Sequence, residues 1–314
     1  MPALPSLPPR PTRAEADAYI RAALPKRARD SHKGSFGRAV LACGSLLYAG
    51  AALLAAEGAL RMGAGLTFLA APHEVAFAAR TRLPEVITRE LPPITEAPAA
   101  YLPYFAEAGE RGAILIGCGI GGAADPNGFA DMLRALLSET GAPVVLDADA
   151  LNLLSRVGAA DILRGARRPV LLTPHPLEFA RLTGQEVADI QADRIGAACR
   201  FAADTGATVL LKGADSVIAD GNGYAVCPSG SPALSKGGTG DVLAGMLTAL
   251  LAGGLPPFAA TFAAAYLHGA AGEALARSYS EYGVLPSELP AAAAEILREI
   301  TENNEFWRYD DVHD

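Results

Sequence analysis

The 314-residue sequence predicts a single α/β domain, a mostly parallel sheet covered by helices on both faces. Three observations carry that prediction. Short, continuous apolar runs alternate with helical ones, the pattern of strands buried on two sides. Hydrophobic residues make up 51% of the chain, ample for a large core, and the abundance of Ala and Gly suits close helix–sheet packing. No repeat or linker divides the chain.

The elements follow in order. Residues 1–29 read as a lead-in, proline-rich up to Arg13 and then a short helix over 14–24. The domain occupies 30–300. It opens with a strand at 38–43, an Ala-rich helix at 50–61 and a strand at 66–71. Strands at 113–117, 143–147, 169–173 and 208–212 come next, with helices at 127–138 and 189–204 between them. The apolar runs either side of Gly221-Asn222-Gly223, within 216–227, read as a β-hairpin. Helices at 241–251, 258–276 and 288–300 complete the domain, and 301–314 reads as an acidic, aromatic tail.

A net charge of −8 argues against a nucleic-acid surface or a basic membrane patch. Cys43, Cys118, Cys199 and Cys227 are scattered without a CxxC pair, so they read as small buried side chains in a reducing, cytoplasmic compartment, and a zinc site is not indicated. No apolar run reaches membrane-spanning length, and the start lacks an apolar signal core.

The most informative stretch is Ser235-Lys236-Gly237-Gly238-Thr239-Gly240-Asp241, which runs into a helix with Val242, Leu243, Met246, Leu247, Leu250 and Leu251 on one stripe. A glycine-rich turn opening a helix is an anion site, because free N–H groups and the helix dipole both favour negative charge. Asp241 at that place would repel phosphate unless it takes a proton or holds a metal, the arrangement for phosphoryl transfer to a hydroxyl. The competing reading is that Asp241 only caps the helix.

Ligands of open α/β sheets bind at the carboxyl ends of the strands. Five strand ends here carry glycine, carboxylate, His or Lys: Gly44-Ser45, the 117–122 loop, Asp147-Ala148-Asp149, Thr173-Pro174-His175-Pro176, and Lys212-Gly213-Ala214-Asp215-Ser216. Each has a plainer alternative. The 117–122 loop is either a turn or, less fittingly, a nicotinamide-binding loop, since its spacing departs from the dinucleotide fingerprint. Asp149 reads as a helix cap, and Asp147 as either cap or site residue. His175 is restricted by the prolines on both sides. Lys212, beside Gly213, is placed to approach a phosphate. Glu57, Arg61 and Glu178 read as solvated or paired behind the site.

As an ordered set, these segments resemble the NAD(P)H-hydrate dehydratases. The resemblance rests on Lys33-Gly34-Ser35-Phe36-Gly37-Arg38, on Gly50-Ala51-Ala52 and Gly63-Ala64-Gly65, and on 145–152, 173–176, 209–213, 238–245 and 266–272, which together cover about 30–300. It implies a ribokinase-like three-layer sandwich. It also implies an enzyme that returns the hydrates NADHX and NADPHX to NADH and NADPH, with ADP or ATP as co-substrate and Mg²⁺ as cofactor. By the same resemblance, Lys212, Gly213, Ala214, Asp215 and Ser216, with Gly238, Thr239 and Gly240, would contact the nucleotide. Ala51, Ala52, Gly119, Gly121, His175 and Asp241 would contact the hydrate; the chemistry of the loop makes Asp241 the catalytic base, and the metal ligands stay open, with Asp147 a candidate to reach the metal through water. Many bacterial members carry an epimerase domain at the N-terminus. The short lead-in leads us to expect a separate epimerase for the R epimer. A homotetramer is expected, and Ala-rich helices such as 50–61 are candidates for its interfaces. A vitamin-precursor kinase of the same fold and a non-catalytic nucleotide sensor are the rival readings.

Overall fold

The computed structural model describes residues 4–122, 126–139 and 141–302. Nine strands form one sheet: β1 (Arg38–Ala42), β2 (Leu66–Ala71), β3 (Val86–Glu90), β4 (Gly112–Ile116), β5 (Val144–Leu146), β6 (Val170–Leu172), β7 (Thr208–Leu211), β8 (Val217–Ala219) and β9 (Tyr224–Val226). Their order is β3-β2-β1-β4-β5-β6-β7-β8-β9, parallel up to β7 and antiparallel in the β8–β9 hairpin. The central strands are apolar throughout because alternate side chains enter two different cores. Ala39 and Leu41 of β1 join Leu115, Val145, Leu171 and Leu210 on one face. Val40 and Ala42 join Ile114, Ile116, Val144, Leu146 and Leu172 on the other. Helices cover both faces, as the alternation of segments predicts.

The strands at 66–71 and the β-hairpin lie where expected, and the other predicted strands agree to within a residue or two. Several details differ. The helix expected at 189–204 is two, Val187–Ala192 and Arg194–Thr205. The chain breaks at Asp193, whose carboxylate caps the second helix by accepting from Gly196 N at 2.8 Å. The edge strand β3 and the helix His73–Arg82 were not anticipated, because neither carries a strong periodic pattern. The lead-in helix Arg13–Ala23 is set by a Thr12/Glu15 capping box, and the segment before it reaches β9, where Val226 N donates to Pro9 O at 2.8 Å. Of the expected tail, residues 303–314 lie outside the described residues.

The helix Thr239–Ala252 is buried all round rather than along one stripe. It crosses the helix Ala49–Arg61 at two glycines. A Cβ on Gly245 would stand 1.9 Å from Ala55 O, and one on Gly58 2.5 Å from Val242 O. The Ala-rich helix turns Ala52, Ala55, Ala56 and Ala59 into the interior of this chain, where its small residues allow this close contact. This crossing holds the start of Thr239–Ala252 over the carboxyl ends of β4 to β7.

Candidate active site

The loop before Thr239–Ala252 makes its turn at Gly238, the N-cap, with φ +100°. Thr239 Oγ1 donates to the carbonyls of Leu234 (2.8 Å) and Lys236 (3.0 Å), which closes the loop on itself. In the first helical turn Thr239 N donates to Lys236 O at 3.4 Å, while the amides that follow it lack intrahelical acceptors. Asp241 stands in that turn and makes no capping bond, so the cap reading does not hold. Lys236 Nζ donates to Tyr282 O and Val284 O, both at 2.6 Å.

At the strand ends, Asp147 is 1% exposed and its Oδ1 is held by two donors, Lys212 Nζ at 2.9 Å and Thr173 Oγ1 at 2.6 Å. Burial works against the charge of Lys212, but Asp147 and Glu178 outweigh it and hold the ammonium above its ordinary range. Cys118 Sγ faces Asp147 Oδ2 at 3.7 Å. Ligand atoms of Cys118, Asp147 and Asp241 lie within 4.8 Å of one another. Burial, and next the negative Asp147, push Asp241 from 3.8 up to about 6, while Cys118 and Lys212 pull the other way. Asp241 is thus a carboxylate with raised proton affinity beside a second, permanently paired one. Gly240 closes the gap between loop and ion pair, since a Cβ there would stand 3.4 Å from Lys212 Nζ.

His175 ends β6 as the N-cap of the helix Pro176–Thr183. Its Nδ1 accepts from Glu178 N at 3.2 Å, and Glu178 answers by accepting from His175 N at 2.8 Å. The His175 side chain is 46% exposed, so it is no core histidine. Burial and the neighbouring Lys212 lower its proton affinity. Of the two alternatives expected for Glu178, the structure shows the paired one: it is buried against His175, and burial raises its pKa.

The 117–122 loop lies opposite. Gly119 packs so close to the helix Ala49–Arg61 that a Cβ would meet Ala51 Cβ at 2.7 Å and Tyr48 Cβ at 2.8 Å. Ala51 therefore faces this loop, whereas Ala52 is fully buried beneath Gly44 and cannot touch a substrate. Asp149 was expected as a cap, yet the N-cap is Ala148 and Asp149 Oδ2 instead accepts from Gly121 N at 2.8 Å, fastening the loop. Cys118 is likewise more than a small hydrophobe, as it sits among the site carboxylates.

On the far side of Lys212, a cavity of about 530 Å³ is bounded by residues 212–216, the loop after β9, Thr239, Gly240 and the helix Pro257–Gly283. Arg194 props its floor by donating to Leu211 O (2.9 Å) and Lys212 O (3.3 Å). A larger apolar cavity, about 590 Å³, lies among Leu24, Phe36, Met62, Leu250 and Leu297, away from these groups.

The sequence profile of the NAD(P)H-hydrate dehydratases matches residues 39–294. The chain belongs to that family. It is 39% identical over 281 residues to an ADP-dependent (S)-NAD(P)H-hydrate dehydratase of Neisseria meningitidis, covering 88% of this chain and 90% of that protein. It is 38% identical over 296 residues to a bifunctional NAD(P)H-hydrate repair enzyme of Moorella thermoacetica, covering 92% of this chain but 54% of that enzyme. The chain thus spans about half the length of the bifunctional relatives it matches. Among solved structures, it resembles the ADP/ATP-dependent NAD(P)H-hydrate dehydratase of Bacillus subtilis co-crystallised with ATP and Mg²⁺. The TM-score is 0.74 at 31% identity, covering 90% of this chain and 97% of that one. The ribokinase-like sandwich expected for the family is the fold observed.

Within this site, the sequence reading assigned no role to Thr173, Cys118 and Arg194. Thr173 lay inside a quoted motif and could have been found there. The other two act through contacts between distant segments, which local spacing does not reveal.

Proposed function

We propose that this chain returns (S)-NADHX and (S)-NADPHX to NADH and NADPH, with ADP or ATP as phosphoryl donor. The observation that carries the reading is Asp241, a poorly solvated carboxylate at the mouth of an anion loop, with raised proton affinity and no capping bond. Hydroxide leaves a tetrahydropyridine ring poorly, whereas phosphate leaves well. The hydrate hydroxyl attacks the terminal phosphoryl group, its proton passes to Asp241, and the nucleotide departs one phosphate shorter. The ring nitrogen's electron pair then expels phosphate, and loss of a ring proton restores the double bond. The amides at Gly238, Thr239 and Gly240 stabilise charge on the phosphoryl group in transit. Lys212 to Ser216 hold the nucleotide. Ala51, Gly119, Gly121 and His175 hold the hydrate on the other side of Asp241.

The donor set fits magnesium in part. The oxygens of Asp147 and Asp241 are hard donors close together, while the sulfur of Cys118 is too soft for that ion. Magnesium would be held chiefly by phosphate oxygens with Asp147 reached through water, and it would neutralise phosphate charge. Among the described residues, no helix is long and apolar enough to cross a membrane. A homotetramer and an epimerase for the R epimer in the same pathway belong to the same proposal and rest on the family resemblance, and a cytoplasmic location rests on the four free cysteines.

One experiment tests the reading. The protein is incubated with ADP, Mg²⁺ and (S)-NADHX, and the return of the NADH absorbance band is followed. A vitamin-precursor kinase or a nucleotide sensor would bind nucleotide without restoring that band, and such an outcome overturns the proposal.

A further inference from the structure

One wall of the nucleotide cavity takes no part in the mechanism above. His268, on the helix Pro257–Gly283, is 6% exposed and lines the cavity beside Leu234, Leu243 and Gly240. Its Nε2 is buried and has no hydrogen-bond partner. Buried polar atoms are nearly always paired, so an orphan on a cavity wall points to a missing ligand. The helix cannot draw the ring away. Gly269 presses on Ser229, where a Cβ would stand 2.4 Å from Ser229 Oγ, and Gly272 on Leu234, where one would stand 2.7 Å from Cδ2.

The chemistry of the missing partner follows from the ring. Burial drives the pKa of His268 down to about 4, so the imidazole is neutral, with one N–H and one lone pair. The Thr239 backbone near the ring favours its protonated form, as a carbonyl facing an N–H does, and the unpartnered Nε2 is left as the acceptor. Ionised phosphate oxygens are acceptors too and cannot pair with it. The donors of a nucleotide are its sugar hydroxyls and, on adenine, the exocyclic amine. Thr239 belongs to the anion loop, which favours the sugar next to the phosphates over the more distant base.

We propose that His268 accepts a hydrogen bond from a sugar hydroxyl of the nucleotide and so determines which nucleotides the cavity takes. This rests on the reading of the cavity as the nucleotide site. The test is calorimetric titration of the full chain with ADP, 2′-deoxy-ADP, 3′-deoxy-ADP and IDP, using wild type, His268→Phe and His268→Gln. The wild type is expected to prefer ADP by about tenfold over one deoxy analogue, the discrimination of a single hydrogen bond. His268→Phe should bind that analogue and ADP alike, and the amide oxygen of His268→Gln should restore part of the preference. Preference lost against IDP alone would move the contact to the base amine and overturn the sugar assignment. Equal weakening toward all four nucleotides, or an unchanged preference in a folded His268→Phe variant, overturns the inference alone. Absence of ADP binding by the wild type would overturn the nucleotide site as well.

Discussion

Replacing Asp241 by Asn is expected to make the protein more stable at neutral pH while abolishing turnover. The folded site raises Asp241 from 3.8 to about 6, through burial first and Asp147 second. A raised acid favours folding while it is protonated, and that advantage is lost as pH rises through the folded value. Above pH 6 the native state therefore carries an ionised group that the unfolded chain would hold more cheaply. The gap between 3.8 and about 6, at ~1.4 kcal/mol per pH unit, sets an upper bound near ~3 kcal/mol. Partial solvent access reduces this, so ~1–3 kcal/mol is expected, a rise of several degrees in Tm. Asn keeps the shape and removes the charge. Melting curves of both proteins should diverge at pH 7.5 and converge below pH 4. Turnover of (S)-NADHX should fall by at least ~10²-fold in the variant. In the wild type, kcat should drop about tenfold per pH unit below 6. A variant that is less stable at pH 7.5 would refute the burial argument, and one that retains turnover would refute the role as base.

Other substitutions probe the remaining parts. Lys212→Met leaves Asp147 buried without its cation, so stability should fall by ~3 kcal/mol and ADP affinity by ~1–3 kcal/mol in calorimetry; unchanged ADP affinity in the folded variant would place the nucleotide elsewhere. His175→Ala should raise KM for (S)-NADHX with ADP binding intact, and cost about 1 kcal/mol through the lost cap; a normal KM would reduce His175 to the cap alone. Gly245→Ala drives a methyl group into Ala55 O, and a Tm loss matching about 3 kcal/mol is expected; wild-type stability would mean that the two helices can part freely.

The parallel sheet was legible in the sequence because every central strand is buried on both faces, and an unbroken apolar run is the only way to satisfy two cores. The anion loop was legible because glycine at a helix start has few other uses, and Lys212, His175 and Asp147 stood out as polar groups at strand ends. Secondary contacts were not. Asp149 is indistinguishable from a cap until Gly121 is seen to donate to it, and Ala51 and Ala52 look alike until one of them proves buried. The partner of Lys212 lies 65 residues earlier in the chain. That pairing, like the raised proton affinity of Asp241, arises only when the ends of β4 to β7 and the start of Thr239–Ala252 are brought together. Strand periodicity and turn chemistry are local properties and can be read along the chain. Burial and charge proximity are properties of three-dimensional space, and here the tertiary fold alone set them.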